Sequence, residues 1–137
     1  MSFAKTPQFD PSSCWMNSVP LSMQALKGKV TLVHFWDYTN VFCVESLPYV
    51  KAWHDAYAPH GLSVVGIHTP EFPFARSQVA VRNAINALGV SYPVMLDNSY
   101  VSWNSFENQL WPAFYVLDRD GEIVYHQAGD SGYANVE

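Results

Sequence analysis

One stretch constrains the fold of this chain more than any other: an apolar, β-branched run, Val30 to Phe35, leading through Trp36-Asp37-Tyr38-Thr39 into Asn40-Val41-Phe42-Cys43. Preceded by the turn-like Lys27-Gly28-Lys29, the run reads as a buried central strand. Asn40 is a good helix N-cap. Beyond it, Val41 to Tyr57 places Phe42, Leu47, Val50 and Trp53 at roughly helical spacing, with Pro48 interrupting the hydrogen-bond ladder and Ala58-Pro59-His60-Gly61 ending the helix. Leu62 to His68 is again apolar apart from Ser63, as expected of a strand covered on both faces. Strand, helix, strand implies a parallel crossover.

The remaining punctuation completes an α/β chain. Ala75 to Leu88 repeats apolar positions at Val79, Ala80, Ile85 and Leu88 and stops at Gly89, which predicts a second helix. Pro93 to Leu96 reads as a short strand and Tyr100 to Glu107 as a brief helix. Ala113 to Leu117 and Glu122 to His126 flank Asp118-Arg119-Asp120-Gly121, a hairpin signature. Ser13 to Asn17 is expected to add a small strand, and residues 1–14 to form a flexible lead. With 137 residues, 49% of them hydrophobic, the chain can bury one full core, so residues 1–137 are read as a single domain.

Charge and cysteine usage exclude several functions. Seven basic against 12 acidic residues give a net charge of -5, with no basic patch for nucleic acid or anionic lipid. No apolar run at the N-terminus resembles a signal peptide or a membrane span, so no direct membrane insertion is expected. Cys14 and Cys43 lie far apart, which suggests neither a disulfide framework nor a cysteine-rich zinc site. The five histidines have no close ligand spacing. His34 and His68 fall on adjacent predicted strands and read as core residues, His54 and His60 as solvated ones, and no metal or cofactor is expected. Cys43, on the first helical turn, has two readings: a small buried hydrophobe beside Phe42 and Trp36, or a thiolate favoured by the Asn40 cap and the helix start.

Several dispersed landmarks resemble one family. They are Trp15-Met16-Asn17-Ser18, Leu26-Lys27-Gly28-Lys29, Phe35-Trp36, Tyr38-Thr39-Asn40-Val41-Phe42-Cys43 with Leu47-Pro48-Tyr49, Gly66-Ile67-His68-Thr69-Pro70-Glu71-Phe72, and Trp111-Pro112-Ala113. Over roughly residues 15–133 they look like the thioredoxin-like redoxins of the TlpA, ResA and DipZ type. That resemblance implies a thioredoxin-like fold with a central mixed sheet, flanking helices and an N-terminal β extension. It also implies thiol–disulfide exchange with protein partners, a cis-proline at Pro112, and a bacterial extracytoplasmic or membrane-tethered setting.

The chain departs from that family at three points. Asn40 replaces the first cysteine of Cys-x-x-Cys, so the attacking sulfur is missing. His34 stands where many thioredoxins hold a buried carboxylate. The family's last helix is absent or lies beyond Glu137. The implied site is Asn40, Cys43 and the proton-handling Glu71, with Trp36, Trp111 and Pro112 lining a peptide groove. Trp36, Trp103 and Trp111 have two readings, an apolar wall around the motif or ordinary core residues. Two functions are open at this stage. One is monothiol exchange or thiol-peroxidase-like chemistry through Cys43, resolved by an external thiol, as peroxiredoxins use Thr-x-x-Cys. The other is a redox-inactive module that binds peptides or proteins.

Overall fold

Two strands set the frame: Val30–Trp36 (β2) and Leu62–His68 (β3) pair in parallel over their whole length, from Val30 opposite Leu62 to Trp36 opposite His68. The computed structural model describes Phe9 and residues 14–129. Between these strands runs the helix Val41–Tyr57 (α1), closed by a 3-10 turn, Ala58–His60, and by Gly61 at φ 97°. Glycine adopts that left-handed conformation without a Cβ penalty. Trp15–Met16 (β1), Val94–Leu96 (β4), Ala113–Leu117 (β5) and Ile123–Ala128 (β6) complete a mixed sheet in the order β1-β4-β3-β2-β5-β6. The expected N-terminal β extension is β1, antiparallel to β4.

Side-chain alternation along β2 divides the core in two. Leu32 and Trp36 join Cys43, Leu47, Val50 and Trp53 of α1 on one face. Val33 and Phe35 join Trp103, Phe106 and Tyr115 on the other. Phe35 makes edge-on contacts with all three of those rings, at centroid separations of 5.3–5.7 Å. Such geometry adds to the stabilisation from buried area alone.

The elements deviate locally from the sequence reading. The second helix, Gln78–Leu88 (α2), starts later than Ala75, because Pro73–Arg76 form a 3-10 turn and the Ser77 hydroxyl caps α2 by accepting from Ala80 N at 3.2 Å. A short helix, Val101–Ser105 (α3), occupies only the middle of its expected span. His54, expected to be solvated, is half-buried with its ring 5.7 Å from that of Tyr92. Phe9 is buried, 5.7 Å from Trp15 and 6.4 Å from Phe106. The rest of the expected flexible lead, apart from Cys14, lies outside the described residues, as does any segment following Gly129. No described helix is long and apolar enough to cross a membrane.

Candidate functional site

Because β2 and β3 end level, Trp36 opposite His68, the loops that follow them lie side by side, and Thr69 N–H donates to the Trp36 carbonyl at 3.1 Å. The segment before β5 arrives at the same edge, where Ala113 sits opposite Phe35 and the Trp111–Pro112 bond is cis. The Trp111 indole N–H ties this third segment to the second by donating to the Thr69 carbonyl at 2.7 Å. Sequence-distant residues are thereby gathered at one end of the sheet.

Asn40 caps α1 as expected. Its Oδ1 accepts from Phe42 N at 2.9 Å and from Cys43 N at 3.2 Å, and its Nδ2 donates to Glu71 Oε1 at 3.2 Å. The cap thus consumes the helix-terminal donors that would otherwise favour a thiolate. Cys43 itself is 0% exposed, and burial pushes its thiol up to about 12, with the negative charges of Asp37 and Glu71 acting in the same direction. The Asp37 backbone amide opposes this only partly. Of the two readings of Cys43, the local geometry matches the buried small residue.

Trp36, expected in the peptide groove, is 0% exposed on the α1 face, with its ring stacked toward His34 at 6.5 Å and edge-on to His68 at 5.0 Å. It backs the site and offers no surface to a ligand, because an interior-facing position two residues after His34 carries it under α1. Trp111 is half-buried and Glu71 exposed, so both reach the mouth. Trp103 packs against Trp111 with ring centroids 4.1 Å apart, but it is buried in the core on the face of the sheet away from Cys43. Tyr100 packs edge-on to Trp111, its hydroxyl donating to the Pro70 carbonyl.

Histidines 34 and 68 do share one face. His34 stacks on Phe114 at 4.8 Å, and its Nε2 lies 3.0 Å from Ser46 Oγ, which donates to the Cys43 carbonyl at 2.6 Å. Since that hydroxyl has one proton, His34 donates through Nε2. Burial holds His34 down to about 3. In His68, Nε2 accepts Tyr38 N–H at 3.2 Å, so the ring is neutral there, and burial lowers it to about 4 against the opposing pull of Asp37.

Asp37 is the residue that motif reading passed over. Fully buried, its Oδ1 accepts from Thr39 N at 2.8 Å and Thr39 Oγ1 at 2.7 Å, and its Oδ2 from Glu71 N at 2.6 Å. The available signal was Asp37-Tyr38-Thr39 after a strand, a pattern that favours an Asx turn. Among the described residues no three His, Cys, Asp or Glu side chains are grouped to hold a metal.

Comparison with known proteins gives this arrangement a lineage. The redoxin family model matches residues 4–137. Protein DipZ of Mycobacterium tuberculosis is 38% identical over 122 residues, 87% of this chain, although the chain spans only 18% of DipZ's length. Thiol-disulfide oxidoreductase YkuV of Bacillus subtilis is 29% identical, covering 96% of this chain and 88% of that one. A thioredoxin-like protein solved in its oxidised form superposes with a TM-score of 0.83 at 29% identity, over 92% of this chain and 84% of that one. The thiol-disulfide isomerase of Corynebacterium glutamicum has a TM-score of 0.83 at 21% identity, over 98% and 93%. The chain belongs to the redoxin family.

Proposed function

We propose that this domain engages an extended segment of a protein thiol or disulfide partner beside Trp111 and Pro112, and that Cys43 stays sealed while it does so. The observation that carries the reading is the complete burial of Cys43 behind the Asn40 cap. Magnitudes favour this reading over free monothiol chemistry. At pH 7 a thiol titrating at about 12 is ionised roughly one part in 10⁵, against a few parts per hundred for an ordinary cysteine. The greater nucleophilicity of a more basic thiolate, with a Brønsted coefficient of about 0.4–0.5, restores a factor of roughly 30. A deficit of about a hundredfold remains before the inaccessibility of the sulfur is considered.

Binding, by contrast, has its elements in place. Among the described residues nothing hydrogen-bonds the Trp111 backbone N–H or C=O, so that residue can pair with an extended chain as an added strand does. Val41, Phe42, Phe72, Phe74 and Leu110 are exposed on the loops and helix end at this edge. Monothiol exchange with an external resolving thiol is the second reading, favoured by family membership. An extracytoplasmic or membrane-tethered setting goes with either.

The test uses reduced, carboxymethylated α-lactalbumin as a thiol-free extended probe, with ¹⁵N spectra of the full chain. Shifts centred on the Trp111 backbone and indole N–H signals support binding. No shift at millimolar probe, together with rapid native-state labelling of Cys43 by Ellman's reagent, overturns the reading in favour of the monothiol.

A further inference from the structure

Asp37 is a buried carboxylate that, among the described residues, forms no ion pair with a lysine or arginine. Beside it is His68, whose Nε2 lies 3.7 Å from Oδ1 and is already accepting the Tyr38 N–H. Its charge is instead met by three donors, two from Thr39 in its own loop and one from Glu71 N in the loop after β3. Of these, the two backbone N–H groups have fixed directions, Thr39 N pointing at Oδ1 and Glu71 N at Oδ2. A buried charge balanced only by hydrogen bonds is costly, and nothing in the packing of a strand end demands one.

We propose that Asp37 is the positioning residue that seals Cys43: its carboxylate bolts the loop before α1 to the loop after β3 and sets a negative charge against the sulfur. The bolt acts on the whole mouth. Tying Glu71 N to Asp37 brings the Glu71 side chain against Asn40 Nδ2, and Asn40 in turn holds the N–H groups of Phe42 and Cys43. The third segment is coupled through Thr69, which receives the Trp111 indole. One carboxylate thus ties together the two loops that cover the thiol, and the second of these loops also carries the acceptor for Trp111.

An asparagine cannot reproduce this. If its Oδ1 faces Thr39, its amide N–H₂ meets the Glu71 N–H donor to donor; if it is flipped, the same conflict arises at Thr39 N. Glutamate keeps the charge but lengthens the arm, so Asp37→Glu and Asp37→Asn separate charge from geometry.

The inference rests on the sealed-thiol reading, and the experiment distinguishes the two failures. In a Cys14→Ser background, the ¹³Cβ shift of Cys43 is followed from pH 7 to 11, and native-state alkylation is measured at several urea concentrations. The wild-type residue should stay protonated across the range and alkylate only through urea-dependent opening. Asp37→Asn should begin to titrate at least about one pH unit lower, a tenfold gain in acidity, and alkylate about tenfold faster with little urea dependence. Asp37→Glu should keep the wild-type titration. If the wild-type sulfur ionises below pH 9, the sealed reading itself fails. If the wild type is sealed but Asp37→Asn titrates like it, or gains reactivity only in proportion to lost global stability, the role assigned to Asp37 is overturned.

Discussion

Lowering the pH from 7 to 5 should remove about 4 kcal/mol of folding stability through His34 and His68 alone. Both are held neutral by burial, at about 3 and about 4 against an ordinary value of 6.5. The folded state therefore binds fewer protons than the unfolded chain, and stability rises with pH. The contribution is fully present above 6.5 and is lost as the pH falls through 6.5 towards the folded values. At pH 5 the unfolded chain has gained about 1.5 pH units of protonation free energy at each site, about 2 kcal/mol apiece at about 1.4 kcal/mol per unit. That is a large share of the roughly 5–15 kcal/mol typical of a domain. Urea unfolding at half-unit steps between pH 7 and 5 measures it, in a range above most carboxylate titration. His34→Gln, which keeps a hydrogen-bonding group near Ser46 but does not titrate, should halve the slope. Stability flat from pH 7 to 5, or a slope unchanged in His34→Gln, refutes the assignment of these rings as buried and neutral.

Asn40→Cys should form a disulfide with Cys43 and gain disulfide reductase turnover, at a cost of about 0.5–2 kcal/mol in the reduced form through loss of the cap; a folded variant that forms no such bond in a redox titration would show that position 40 does not sit where the attacking sulfur belongs. The unaltered protein should reduce insulin at near background, and multiple turnover without added thiol would contradict that. Gly66→Ala places a methyl 3.1 Å from Trp36 Nε1 and 3.3 Å from Tyr92 Cε1, an overpacking expected to cost about 1–3 kcal/mol by thermal or urea unfolding. Trp111→Phe deletes the bond to the Thr69 carbonyl and should weaken binding of the carboxymethylated probe several-fold, with less than about 1.5 kcal/mol lost from the fold.

Periodicity made the strands and α1 legible, since Val30–Trp36, Val41–Tyr57 and Leu62–His68 follow from an apolar run, an N-cap and a second apolar run. The start of α2 was hidden because Phe72-Pro73-Phe74 keeps the apolar rhythm while Pro73 nucleates a 3-10 turn. At the site, the family resemblance pointed to Asn40, Cys43, Glu71 and Pro112, but a resemblance does not say which side of a strand end a residue takes. Trp36 was therefore placed in the groove when its alternation with His34 sends it inward. Asp37 escaped notice for a related reason. A carboxylate one residue past a strand reads as an ordinary turn acid, and only the parallel level of β2 and β3 brings Glu71 N to it.

The two faces of the sheet handle polarity in opposite ways. On the face away from α1, polar atoms of the aromatic residues find partners: Tyr115 hydroxyl donates to Asn108 Oδ1 at 3.0 Å, and the Trp111 indole to Thr69. On the α1 face, among the described residues, His34 Nδ1, Trp36 Nε1, His68 Nδ1 and the Tyr92 hydroxyl are buried without a hydrogen-bond partner. A polar atom left so costs about 1–3 kcal/mol where nothing pairs with it, and these four are gathered on one face of the sheet. It is also the face that lies behind Asn40 and Cys43. A thiol seated there is protected by the same low dielectric that penalises its neighbours, and any step that ionises Cys43 must first admit water or a partner's dipoles to that seam. Sealing and latent reactivity are then set by one physical quantity, the free energy of opening the α1 face, to which Asp37 and the Asn40 cap both contribute.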